Sequence, residues 1–136
     1  MKKRAVLMTL FLFIASGFLH AQEAEQNDVA PITTFPPAIF QSKYKSGFIL
    51  VDASKTANYK SAHLQGAIGI DFSGSNVSGK LTEINRDVNV FVYASEKQLS
   101  LKAAQMMANM GFRYVYNLDG TSADLELLGM PMVKQK

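Results

Sequence analysis

Four short runs of apolar, largely β-prone residues, separated by stretches of helical character, limit what this chain can fold into. They are Phe48-Ile49-Leu50-Val51, Ala67-Ile68-Gly69-Ile70, Val90-Phe91-Val92-Tyr93 and Tyr114-Val115-Tyr116. Each is too short for a helix and apolar enough to form a strand buried on both faces. Pro37 can open a helix, because its missing N–H is not needed there, and Ile39, Phe40 and Tyr44 supply an apolar face before Gly47. Thr56 to Ser61 read as one or two helical turns, Ser73 to Lys80 as a Ser/Gly/Asn-rich loop, and Leu81 to Asn85 as a short helix. Leu99 to Met110 form the clearest helix, with Leu101, Ala104, Met107 and Ala108 at helical spacing and Gly111 past its end. Ala123 to Leu128 form the last helical segment, ended by Gly129 and Pro131. Strands alternating with helices predict an α/β domain: a central, mostly parallel sheet with helices on both faces. Ligand sites in such sheets lie beyond the carboxyl ends of the strands, which directs attention to the residues after Tyr93.

The length of 136 residues suits one domain. The formal charge of +3 is set by Lys2, Lys3 and Arg4; taking those three from the 14 basic residues leaves as many as the 11 acidic ones. The folded part therefore has no global basic field, and nothing points to a nucleic-acid partner. There are no cysteines. That count excludes a disulfide framework, a thiolate metal site, a cysteine nucleophile and a lipid anchor on a terminal cysteine.

The first residues have the order of a secretory signal peptide: a basic start, an apolar run from Ala5 to Ile14 broken only by Thr9, then small residues and Leu19-His20-Ala21. Cleavage is expected after Ala21, which places the mature protein in the periplasm or outside the cell, with membrane contact only during export. The apolar run is short for spanning a bilayer. Residues 22–34, polar and acidic, read as a flexible leader, and residues 35–136 as the domain.

Ala94 to Gln98 connect the third strand to the long helix. A strand–turn–helix of this kind aims several N–H groups and the positive end of a helix dipole at one point, a cradle for an anion. A cysteine at its start would be a stabilised thiolate. At this point the chain resembles the rhodanese family. Leu50-Val51-Asp52-Ala53-Ser54 is similar to its Leu-Ile-Asp-Val-Arg strand end, and Tyr59-Lys60-Ser61-Ala62-His63-Leu64-Gln65-Gly66-Ala67 to its Tyr-x-x-Gly-His-Ile-Pro-Gly-Ala segment. Val92-Tyr93-Ala94-Ser95-Glu96-Lys97-Gln98-Leu99-Ser100 aligns without gaps on its Val-Tyr-Cys-x-x-Gly-x-Arg-Ser loop, followed by Ala103-Ala104. Gly111-Phe112-Arg113-Tyr114-Val115-Tyr116-Asn117-Leu118-Asp119-Gly120 resembles the Gly-Phe-x-x-Val-Tyr-x-Leu-x-Gly strand, and Gly129-Met130-Pro131 the Gly-x-Pro ending.

The resemblance implies a fold built for sulfur transfer, in which the loop cysteine carries sulfane sulfur as a persulfide. The departures fall on that chemistry. Ala94 stands for the cysteine, Lys97 for the loop glycine, Leu99 for the loop arginine and Ser54 for the strand-end arginine; Asn58 and Leu125 replace a Glu and a Trp. The residues kept are structural in type, among them Asp52, His63, Gly66, Gly111 and Gly120. The loop Ala94, Ser95, Glu96, Lys97, Gln98, Leu99, Ser100 thus reads as a degenerate active site. No catalytic residue, cofactor or metal is assigned, and the expected partner is a protein or a small anionic ligand. Lys97 would supply a cation over the cradle. The alternative is an enzyme using non-cysteine chemistry, with Ser95 or Ser100 as nucleophile and His63 as base. Asp52 and Asp71 at strand ends form only a weak metal pair; Asp52 is expected to accept hydrogen bonds from its own loop. The methionines Met106, Met107, Met110, Met130 and Met132 read as core filler.

Overall fold

A computed structural model describes residues 29–136. The segment expected to be a signal peptide and most of the expected leader lie outside the described residues. The elements run β1 (Thr33–Phe35), α1 (Pro37–Lys43), β2 (Ile49–Asp52), α2 (Thr56–Ser61), β3 (Ala62–Leu64), β4 (Ile68–Gly69), α3 (Val77–Thr82), β5 (Asn89–Tyr93), α4 (Lys97–Asn109), β6 (Tyr114–Leu118), α5 (Ser122–Leu127) and β7 (Met132–Lys134).

Five strands form one sheet in the order β1-β6-β5-β2-β4. Every neighbouring pair in it is parallel, with Val51 beside Val92 and Asp52 beside Tyr93 at the carboxyl end. The side chains of β5 alternate as a pleated strand requires. Val90, Val92 and Ala94 enter a core with Leu81 of α3 and Ala103, Ala104 and Met107 of α4. Phe91 and Tyr93 enter the opposite core, with Phe40 of α1 and Leu125 of α5. Both faces are therefore covered by helices, which explains why these strands read as unbroken apolar runs. Gly111 ends α4 with φ 91°, and this left-handed residue lets the Phe112 N–H reach back to the Met107 carbonyl at 3.2 Å.

Several boundaries differ from the sequence reading. The domain begins inside the expected leader, because Thr33–Phe35 already pair with Tyr116–Leu118 of β6. The segment read as a loop up to Lys80 contains most of α3, placed so that Leu81 is buried and Val77 packs beside it; of the helix expected at 81–85 only Leu81 and Thr82 are helical, as the end of α3. The second strand is only Ile68–Gly69, at the sheet edge. A second, antiparallel pair, β3 with β7, joins His63 to Val133 near the end of the chain. On α4 the buried face is Ser100, Ala103, Ala104, Met107 and Ala108, whereas Leu101 is 42% exposed. Met107 is core, as read, and Met110 and Met130 pack against the two clusters. Among the described residues no helix is long and apolar enough to cross a membrane.

Candidate functional site

The carboxyl ends of β2 and β5 lie side by side, and the residues that follow them meet. The Ala53 N–H donates to the Tyr93 carbonyl at 2.8 Å. Asp52 is buried and turns back on its own loop, accepting the Ser54 N–H at 2.8 Å, as expected. Tyr93 is buried as well, and its hydroxyl accepts the Leu64 N–H at 2.8 Å. Burial, followed by the nearby Asp52 charge, raises the Tyr93 phenol well above its ordinary range, so it stays neutral.

The turn between β5 and α4 has three residues, Ala94, Ser95 and Glu96, because α4 starts at Lys97. Ala94 is fully buried; its methyl belongs to the core under α4, and its carbonyl accepts the Ser122 N–H at 2.8 Å. The Ser95 N–H donates to the Ser54 hydroxyl at 2.8 Å, and the Asn58 side-chain amide donates to Ser95 Oγ at 3.3 Å. Glu96 sits exposed at the helix N-cap in extended conformation, and its carbonyl accepts the Leu99 N–H at 3.2 Å. A carboxylate there complements the helix dipole. Leu99 packs against the core, and Ser100 is buried, its hydroxyl donating to the carbonyls of Lys97 (3.1 Å) and Leu118 (3.4 Å). Gln98 is exposed.

Lys97 requires a correction. It is the first residue of α4, and its ammonium lies 2.6 Å from Asp119 Oδ1, with both side chains more than half exposed. Its hydrogen bond with Asp119 and that carboxylate's charge hold its pKa above the ordinary lysine value. The cation expected over the turn is paired beyond the end of β6 instead. Without the loop glycine the backbone takes helical geometry at position 97; among the described residues only glycines have positive φ.

The residues of the serine-enzyme alternative do not form a dyad. His63 lies in β3, with Nδ1 2.7 Å from the Tyr59 carbonyl and its ring stacked on that of Tyr59 at 4.0 Å. Ser95 and Ser100 have the other partners just described. Asp52 and Asp71 are also engaged separately: the Asp71 carboxylate accepts from the amides and hydroxyls of Thr56 and Ser73. Those bonds, with the Ser73 hydroxyl foremost, lower its pKa from 3.8 to about 2.

Sequence reasoning missed the wall of the site. Beside the turn lies a cavity of about 220 Å3 lined by Ser54, Thr56, Tyr59, Lys60, Asp71 and Lys80. A second hollow of similar size shares Thr56, Asp71 and Lys80 with it. Ser54 had a signal, as the replacement of a strand-end arginine. Lys80 had none, because α3 is hidden in a Ser/Gly/Asn-rich stretch.

Comparison with known proteins gives consistent results. The family model described as Rhodanese-like domain matches residues 37–124. Thiosulfate sulfurtransferase GlpE of Pseudomonas fluorescens (strain SBW25) is 29% identical over 85 residues, covering 62% of this chain and 76% of that protein. The solution structure of the rhodanese-like domain of Alr3790 from Anabaena superposes with TM-score 0.67 at 17% identity, covering 75% of this chain and 79% of that one. The E. coli rhodanese solved with anions superposes with TM-score 0.53 at 25% identity, covering 65% of this chain and all of that one.

Proposed function

Because the chain belongs to the rhodanese-like domain family, related to sulfurtransferases, we propose that it is an exported, non-catalytic member that binds a small anion or an anionic protein segment at the carboxyl end of its sheet. The carrying observation is the buried methyl of Ala94 at the position of the sulfur-bearing cysteine. A methyl group can neither attack sulfane sulfur nor hold it as a persulfide, and the chain has no other thiol to relay it. The Ser95 amide, which such a turn would aim at a bound sulfur, is given to the Ser54 hydroxyl.

Binding rests on a different part of the site. Lys60 and Lys80 line the cavity beside Ser54, and neither is in an ion pair among the described residues. Asp71 lines it too and is ionised at neutral pH, so the wall carries one net positive charge. The E. coli relative solved with anions supports the same ligand class. Export rests on the basic, apolar and small-residue order that ends at Ala21.

The test is an assay of the purified protein with thiosulfate and cyanide. Thiocyanate formation at the rate of a buffer blank is expected, and turnover above it would refute the proposal. Calorimetric titration with thiosulfate tests binding: heat that disappears in Lys60→Gln/Lys80→Gln supports it, and an identical isotherm in that variant overturns it.

A further inference from the structure

We propose that a groove on the face of the sheet that carries Phe91, opposite the face that takes Ala94, is a binding site for a planar aromatic anion. Its floor and walls are four aromatic rings. Phe35 and Tyr116 stack within 8° of parallel with centroids 5.6 Å apart, and Phe48 and Phe91 stack within 11° at 5.7 Å. Phe91 and Tyr116 join the two stacks at 4.8 Å. The groove they line has a volume of about 320 Å3, the size of a small ligand site. Phe91 is buried, whereas Phe35, Phe48 and Tyr116 are partly open to solvent. Partly exposed aromatic rings gathered at one place on a small domain mark a contact surface.

The rim fixes the sign of the ligand. Lys43, the last residue of α1, and Lys45 line the same groove, both exposed and neither in an ion pair among the described residues. The backbone turn in which the Phe48 N–H donates to the Lys45 carbonyl at 3.1 Å holds one lysine next to one ring of the floor. Asn89, at the start of β5, adds an amide that can donate to an anionic oxygen. Among the described residues no carboxylate side chain lines the groove, so two lysines border an aromatic bed with no acidic residue beside them in the lining. A flat ring system stacks on such a bed, and a carboxylate or sulfonate on its edge meets the lysines. Asn89 stands at the start of β5, roughly 17 Å from Ala94 along the strand at 3.3 Å per residue, and the groove shares no lining residue with the cavity beside Ser54.

The experiment is an amide-resolved NMR titration of the full chain with 2-naphthoate and, separately, with the neutral 2-naphthalenemethanol. Shifts at Phe35, Phe48, Asn89 and Tyr116 with naphthoate, about fivefold tighter binding than the alcohol, and loss of that preference in Lys43→Gln/Lys45→Gln are expected. Equal affinity for the two probes, shifts centred on Ser54 and Ser95, or no shifts at millimolar naphthoate would each overturn it.

Discussion

The hydroxyl of Ser54 accepts the amide of Ser95 at 2.8 Å, tying the end of β2 to the turn that follows β5. Two substitutions meet in this bond. An arginine at position 54 would carry its charge out past a short turn, whereas serine is short enough to reach back and satisfy an amide of the turn itself. Lys97 lies in the first turn of α4 with its ammonium on Asp119, so neither that cation nor the Ser95 amide is directed at a ligand of the turn. The changes at 54, 94, 97 and 99 are thus mutually consistent in space, and reverting one of them leaves the rest in force.

Ala94→Cys therefore restores little sulfur transfer. The new sulfur enters a fully buried position among the side chains under α4, which should cost about 1–3 kcal/mol of stability from overpacking. Even a reachable thiolate would lack the amide now held by Ser54 and the arginine now replaced by Leu99. Losing a donor of this kind reduces rate by about 10²–10³-fold. The variant should form thiocyanate from thiosulfate and cyanide at least about 100-fold more slowly than a cysteine-bearing rhodanese assayed alongside. Rates within an order of magnitude of that control would mean the cradle survives.

The parts of this fold that could be read from sequence are those specified by local pattern. The runs at 48–51, 90–93 and 114–116 became β2, β5 and β6, because a strand buried on both faces is apolar at every position. What was missed depends on distant partners. Thr33–Phe35 is a strand only because Tyr116–Leu118 offers a free edge, and Ala62–Leu64 only because Met132–Lys134 returns to it. The helical spacing that includes Leu101 does not mark the buried face of α4: Ser100 lies inside, where its hydroxyl meets backbone carbonyls, and Leu101 faces out. In the candidate site, the missing cysteine and the role of Asp52 were legible. The ion pair that draws Lys97 away was not, because Asp119 stands on another strand's exit.

Phe91 and Phe112 test the two cores separately. Phe91 is 2% exposed and touches the rings of Phe40, Tyr44, Phe48 and Tyr116. Phe112 is fully buried in the opposite core, with the Arg86 guanidinium 5.9 Å from its ring centre. Truncating either to Ala should cost about 3–5 kcal/mol in urea unfolding. A loss under about 1 kcal/mol in either variant would contradict the burial described here.

Asp71 gives the domain an acid-sensitive contact. Its folded pKa of about 2 lies below the ordinary 3.8, so its contribution is complete above pH 4 and fades as pH falls toward 2. The carboxylate is largely exposed, and solvent screening holds the effect under about 1 kcal/mol. Carbon-detected NMR should show the Asp71 carboxyl titrating with a midpoint of about 2. In urea unfolding, the difference between the native protein and Asp71→Asn should shrink between pH 4 and pH 2; a constant difference over that interval would contradict the hydrogen bonding of Thr56 and Ser73.

Tyr93→Phe asks whether the buried hydroxyl at the heart of the site is structural. Tyr93 is fully buried, and its oxygen is the acceptor for the amide of Leu64, itself 1% exposed. Removing that oxygen leaves an N–H without a partner where water does not reach, a cost of about 1–3 kcal/mol. The ring itself is kept, so packing of the core with Phe40, Leu118 and Leu125 is nearly unchanged. The loss should therefore appear as a lower urea midpoint with an unchanged slope, together with faster hydrogen exchange at Leu64. An unaltered midpoint and a protected Leu64 amide would mean that another acceptor replaces the phenol, and that β3 is held to the domain by something other than this bond.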